Sequence, residues 1–152
     1  MNIEEIKELQ KVKAALEESL KVVERLMGDN VEELIYQDEL KLEKLISGYV
    51  WKLGIPTHEK GYKYIVSAIK LGVENESLLQ AIVKGLYSKL SEMYNCNTSK
   101  IERDIRKAIK KSIGYEDKEL YYQIFKDQKI EDLSNGKYIR AFVNWFKYNV
   151  KY

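Results

Sequence analysis

Cysteine, histidine and proline each occur once in this chain, as Cys96, His58 and Pro56, and arginine only four times among 26 basic residues. A lone cysteine excludes an intrachain disulfide, and a single histidine leaves no set from which a cysteine and histidine zinc cluster can be assembled. No stretch approaches the roughly 20 apolar residues of a membrane span. The opening MNIEEIKELQ is too acidic and polar for a secretory signal, so the expected location is cytoplasmic, with no membrane partner. Carboxylates or histidines clustered at the spacing a phosphatase or nuclease needs are also missing. No catalytic residue, metal or cofactor is therefore assigned, and the chain reads as a non-enzyme. His58 is expected to cap the following helix or tie its turn, and Cys96 to be a semi-exposed bystander. Sustained period-2 alternation is lacking too, which points away from strands and towards an all-α fold.

What is present is charge, unevenly distributed. The 152 residues carry a formal net charge of +2, but residues 1–40 hold five Lys or Arg against eleven Asp or Glu, and the remainder 21 against 13. A basic body favours a polyanion, and an acidic arm does not. With 45% hydrophobic and 33% charged residues, the chain suits one modest domain plus an appendage, divided as an acidic helical arm over 1–38 and a basic domain over 39–152.

Apolar periodicity and turn residues predict the helices. The first covers about 3–27 and stops at Gly28, Asp29 and Asn30. A short helix resumes at Val31, and another over about 39–53 ends at Gly54 with Pro56 beyond. The next spans about 60–72. Asn75 is expected to cap a fourth, running to about Tyr94 and burying Leu78, Leu79, Ile82, Val83, Leu86 and Leu90. A basic helix follows over about 98–113, closed by Gly114, then a short helix over 117–126 and an aromatic one over 135–150. In that last helix Phe142, Trp145 and Phe146 are spaced for core packing.

The basic segment NCNTSKIERDIRKAIKKSI, residues 95–113, holds six basic and two acidic side chains. At about 100° per residue, Ile101, Ile105, Ala108 and Ser112 share one side with Ile109 at its edge. Lys100, Arg103, Arg106, Lys107 and Lys110 fall opposite, extended by Ser99. Thr98 or Ser99 is the expected cap, and Glu102 with Arg106 has the spacing of an i,i+4 ion pair. Such a face is ordinarily only solvated. Here, however, a tight polar link at 95–98 joins the helix to its predecessor, the outline of a helix-turn-helix, in which the second helix inserts its amino-terminal residues into the major groove. Ser99, Lys100, Glu102 and Arg103 would sit deepest.

Three blocks then carry a specific resemblance: LGIPTHEKGYKYIVSAI (53–69), LLQAIVKGLYSKLSEMYN (78–95) and TSKIERDIRKAI (98–109). In this order and spacing they resemble the carboxy-terminal DNA-binding effector domain of the response regulator that initiates sporulation in spore-forming Gram-positive bacteria. The resemblance covers about residues 40–150 and weakens after Ile113. It implies a six-helix all-α domain that binds short promoter boxes, often in tandem, and regulates transcription. By motif position Lys100, Glu102, Arg103 and Arg106 match the family's base-reading residues. Arg103 and Arg106 would donate to guanine O6 and N7, and Glu102 would accept from a cytosine amino group. Ser99, Lys107 and Lys110 would contact phosphates and set position. Lys137, Arg140, Lys147 and Lys151 of the last helix are further phosphate candidates.

Departures from the family pattern are equally informative. Lys100 stands where the family tends to have Arg, and an ammonium cannot reproduce the guanidinium fork. Asp104 replaces a small residue and Ser88 a usual Pro. About 40 residues precede the domain where the family has a receiver, so control by aspartyl phosphate is not expected. In its place Ile6, Leu9, Leu16, Leu20, Val23 and Met27 follow heptad spacing, interrupted by Lys13. Two readings of this arm stand: a coiled coil that dimerises the protein, or an amphipathic helix folded back on its own domain.

The expected function is a sequence-specific regulator binding double-stranded DNA as a homodimer or tandem dimer, associated with the nucleoid. The competing reading is a protein-interaction module that binds another transcription regulator, or RNA polymerase, through the acidic arm and the aromatic carboxy-terminal helix.

Overall fold

The computed structural model describes residues 1–28 and 30–152. Among them every regular element is helical: seven α-helices, with short 3₁₀ and π segments between. They divide into two units, Met1–Leu40 and Lys41–Tyr152.

Helix α1 (Ile3–Met27) begins at a reciprocal cap. The Glu5 amide donates to Asn2 Oδ1 at 2.8 Å, and the Asn2 amide to Glu5 Oε2 at 3.0 Å. It ends at Gly28, whose φ of 58° suits glycine. None of its residues is buried.

Helix α2 (Asn30–Lys52) is one continuous element, not the two helices expected, because no proline or turn cluster interrupts 31–52 and Gly48 alone is too weak a breaker. Leu42, Ile46 and Val50, four apart, bury one stripe in the core of the second unit. Gly54, at φ 86°, closes the helix where a Cβ would lie 2.7 Å from the Tyr115 backbone. The Asp117 amide donates to Lys52 O at 2.8 Å, completing the dock between these two turns.

Helix α3 (Lys60–Glu74) is the central element and buries Tyr64, Ile65, Val66, Ala68 and Ile69. Its amino-terminal cap position is Glu59, which makes no side-chain cap hydrogen bond. Because the cap position falls on Glu59, the expected capping by His58 does not occur, and the His58 side chain is exposed, with Nε2 3.7 Å from Glu59 Oε1.

The single fourth helix expected over 75–94 is three pieces: a 3₁₀ turn at Glu76–Gln80, a π turn at Ile82–Tyr87, and α4 (Ser88–Tyr94). Ala81, at φ −134° and ψ 86°, breaks the first from the second. Asn75 does cap, but the 3₁₀ turn, accepting from the Ser77 amide at 3.2 Å. A regular helix would place Val83 on one face with Leu79 and Leu90. The break and the wider π turn rotate it outward to 54% exposure, while Leu86 and Leu90 are fully buried and Leu78, Leu79 and Ile82 half-buried.

Helices α5 (Thr98–Lys111), α6 (Lys118–Phe125) and α7 (Asn135–Asn149) complete the domain, with a 3₁₀ turn at Ile130–Asp132. Phe142 and Phe146 of α7 are fully buried. Tyr49 of α2 meets Trp145 and Phe146 edge-on at 5.1 and 6.2 Å, so α2 and α7 close against each other through aromatic edges.

Candidate nucleic-acid interface

The helix-turn-helix is built from α4, the turn 95–97 and α5. The turn is possible because Asn95 adopts the left-handed region, at φ 50° and ψ 53°, which asparagine tolerates better than most residues. Ser91 Oγ donates to the Cys96 carbonyl, and the Cys96 amide to Ser91 O at 3.2 Å. Cys96 itself is half-buried. Having turned, the chain presents Asn97, not Thr98 or Ser99, as the cap: its Oδ1 accepts from the Lys100 amide at 2.8 Å. Thr98 is already the first helical residue.

One face of α5 is anchored by Ile101, Ile105, Ala108, Ile109 and Ser112, all fully buried. Each isoleucine removed from water contributes about 1.5–3 kcal/mol. Ser112 sits in this apolar face because its hydroxyl donates to the Ile109 carbonyl at 2.5 Å. Helix α3 crosses very close at Gly61: a Cβ there would lie 2.1 Å from Asp104 O and 2.7 Å from Ala108 Cβ. Only glycine permits this approach, and α5 is held at fixed depth against the body.

The opposite face carries the site residues named from the sequence, and their surroundings differ. Ser99, Glu102, Arg103, Lys107 and Lys110 are exposed. Lys100 and Arg106 are half-buried and engaged within the protein. Lys100 Nζ lies 2.6 Å from Asp104 Oδ2 and 5.7 Å above the centre of the Tyr64 ring. The hydrogen bond that Lys100 donates to Asp104 raises the lysine above its ordinary pKa, against a smaller opposing effect of burial. Burial, helped by the Cys96 sulfur 3.9 Å away, raises that of Tyr64. Arg106 Nη1 donates to the Leu133 carbonyl at 2.6 Å. The ion pair expected between Glu102 and Arg106 therefore does not form among the described residues. A buried backbone carbonyl takes the guanidinium that Glu102, on a solvated face, would have held for only a few tenths of a kcal/mol.

The start of α7 is the part of this surface that sequence spacing did not expose. Asn135 Nδ2 donates to the Glu102 carbonyl at 2.9 Å, and Asn135 is buried. Together with Arg106 it staples α7 and the extended segment before it to α5. A shallow groove results, lined by Ser99, Glu102, Arg103, Arg106, Ser134 and Asn135. Farther along α5, Lys111 pairs with Glu59 and is drawn away from the basic face. Of the four candidates on α7 and beyond, Arg140 Nε donates to Leu79 O at 2.9 Å and Lys147 pairs with Glu76. Both brace the 3₁₀ turn. Lys137 and Lys151 are exposed.

The described residues contain no group of three or more His, Cys, Asp or Glu side chains placed to hold a metal ion, and no helix long and apolar enough to cross a membrane. The surface on offer is thus a helix with an exposed, mainly cationic face beside a polar groove, a chemistry complementary to an anion.

Comparison with known protein families agrees with that chemistry. The family described as sporulation initiation factor Spo0A C terminal matches residues 46–145, which include the whole helix-turn-helix and most of α7. That family is a DNA-binding effector domain of transcription regulators that acts on double-stranded DNA. With two thirds of its length matched, the chain belongs to the Spo0A carboxy-terminal family and is a DNA-binding transcription regulator of that class.

Proposed function

We propose that this protein recognises a specific double-stranded box by laying the amino-terminal half of α5 in the major groove, with Arg103 as its principal base-reading residue. One observation carries this reading. Arg103 is exposed on a helix fixed in depth by Gly61 and in orientation by the Asn135 and Arg106 staples. Its guanidinium fork needs no disengagement to reach guanine O6 and N7. Glu102, next to it on the groove, would accept from a cytosine amino group. Ser99, Lys107 and Lys110 would take phosphates on either side. Lys100 and Arg106, assigned to bases by family position, read bases only after giving up Asp104 and Leu133 O, so they contribute less than Arg103. The arm brings two such domains together as a homodimer on paired boxes.

The test is selection of bound sequences from a random DNA pool, followed by mobility shifts on the selected box. Arg103→Ala should lose about 1–3 kcal/mol of preference for that box, at the base it reads, and Lys110→Ala should weaken all sequences alike. Retained preference in Arg103→Ala would show that the recognition residue is assigned wrongly.

A further inference from the structure

Helix α1 is 25 residues long and buries none of them. Ile6, Leu9, Leu16, Leu20, Val23 and Met27 are all between 44 and 65% exposed. On a helical wheel these six and Lys13 fall within about 100°, a continuous apolar seam interrupted once. A seam of this kind exposed to water marks an association surface.

We propose that the seam is covered by α1 of a second copy running antiparallel, with residues whose numbers sum to 29 facing each other. This deepens the self-association put forward above by giving its direction and register. Lys13 and its neighbours set the direction of the pair. In a parallel, in-register pair Lys13 faces Lys13 of the other copy, two like charges in the centre of an apolar seam. Shifting a parallel pair by a heptad avoids that contact but gives an unsymmetrical, open-ended association instead of a closed dimer.

Reversing one helix removes the conflict. Ile6 then meets Val23, Leu9 meets Leu20, and Lys13 meets Leu16, so every apolar seam position between Ile6 and Val23 finds a seam position opposite. Glu17 of the second copy lies beside its Leu16, at the level of Lys13. The ammonium can run its stem along the leucine and end on that carboxylate. Because the pairing is two-fold symmetric, the same contact forms twice. This register also overlaps the helix along its full length. The alternative antiparallel register, in which Leu9 faces Met27, overlaps the helices only over residues 9–27 and leaves Ile6 outside the pairing, whereas this one leaves only Met27, opposite Asn2.

Cysteine cross-linking of the full chain, in a Cys96→Ser background, tests direction and register together. Leu9→Cys and Leu20→Cys chains carrying tags of different mass are oxidised mildly, alone and mixed. The expected result is a mixed cross-link between Leu9→Cys and Leu20→Cys, with neither variant cross-linking to itself. Self-cross-linking of either variant alone would mean parallel pairing, and a monomer by sedimentation at tens of micromolar would mean no pairing; both overturn the proposal. A second variant gives an independent reading without new thiols. Lys13→Glu places a carboxylate against Glu17 of the partner and should weaken self-association about tenfold, whereas a parallel pair would exchange one like-charge contact for another and change little. A monomeric chain that still selects its box would leave the DNA reading intact.

Discussion

Lys100 and Asp104 hold each other across one turn of α5, with Nζ and Oδ2 2.6 Å apart and the ammonium 5.7 Å above the centre of the Tyr64 ring. The pair lies at the edge of the face assigned to DNA and neutralises a cation the family pattern places there. Asp104→Asn should free the ammonium and remove a carboxylate from the duplex side. Affinity for all DNA rises at low salt, and the plot of log K against log salt steepens by about 0.9, the slope of one further neutralised phosphate. Titrations at several salt concentrations check this. An unchanged slope would show that Lys100 stays over Tyr64 and leaves DNA untouched.

The two arginines of α5 should separate cleanly in a comparison of stability with binding. Arg106 donates to the carbonyl of Leu133, a buried residue, and Arg106→Ala leaves that acceptor without its partner, costing about 1–3 kcal/mol in denaturant unfolding. Arg103 is exposed, and Arg103→Ala should change stability by no more than about 0.5 kcal/mol. The same Arg103→Ala change should cost about 1–3 kcal/mol of discrimination against a mismatched box. Equal loss of stability in both variants would refute the distinction.

Gly61 and Gly72 offer a matched test of how α3 is packed. At Gly61 a Cβ meets the Asp104 backbone oxygen at 2.1 Å, and backbone cannot step aside. At Gly72 the nearest atoms are the side-chain ends of Val143 and Leu79, at 2.9 and 3.0 Å, which can shift. In helix propensity alone, either alanine gains about 1 kcal/mol. Overpacking outweighs this at Gly61, so Gly61→Ala should lose about 1–3 kcal/mol net or more and weaken DNA binding as α5 is displaced. Gly72→Ala should lie much closer to neutral. Thermal unfolding of the two variants side by side decides it.

How far these features could be read from the sequence depends on the range of the interactions behind them. The buried face of α5 follows from helical periodicity alone, and Ile101, Ile105, Ala108, Ile109 and Ser112 are the residues found buried. The short polar link at 95–98 between two amphipathic helices outlines the helix-turn-helix, and the family match covers it. Asn97, Thr98 and Ser99 can all cap, so residue type alone does not single out Asn97. The choice is made just before the helix, where Asn95 takes a positive φ. The π turn at Ile82–Tyr87 has no periodic signature, since its apolar residues fit a regular helix equally well. The partners of Asn135 and Arg106 lie 33 and 27 residues away, and no local pattern reports a bond that only tertiary packing creates. Hence the cationic face was legible, but the commitment of two of its members to other parts of the protein was not.

Glu59 and Lys111 give the domain a pH dependence whose sign can be worked out. The hydrogen bond from Lys111 holds the Glu59 carboxyl below its ordinary value of 4.5, aided by the charges of Lys111, Lys107 and His58 and opposed by partial burial. A carboxyl whose pKa is lower folded than unfolded binds fewer protons in the folded state. Its stabilisation is therefore fully present above the unfolded pKa and fades as the pH falls through the folded one. Because the pair joins the carboxy-terminal end of α5 to the turn before α3, its loss loosens the same packing that Gly61 makes close. Glu59→Gln keeps the shape and removes the titration. The variant should melt below the wild type at pH 7, and the gap should close as the pH falls below 4.5 and through the lowered value of the folded state. A gap that stays constant from pH 7 to pH 3 would show that Glu59 contributes through shape alone and that its charge pairing with Lys111 adds nothing to stability.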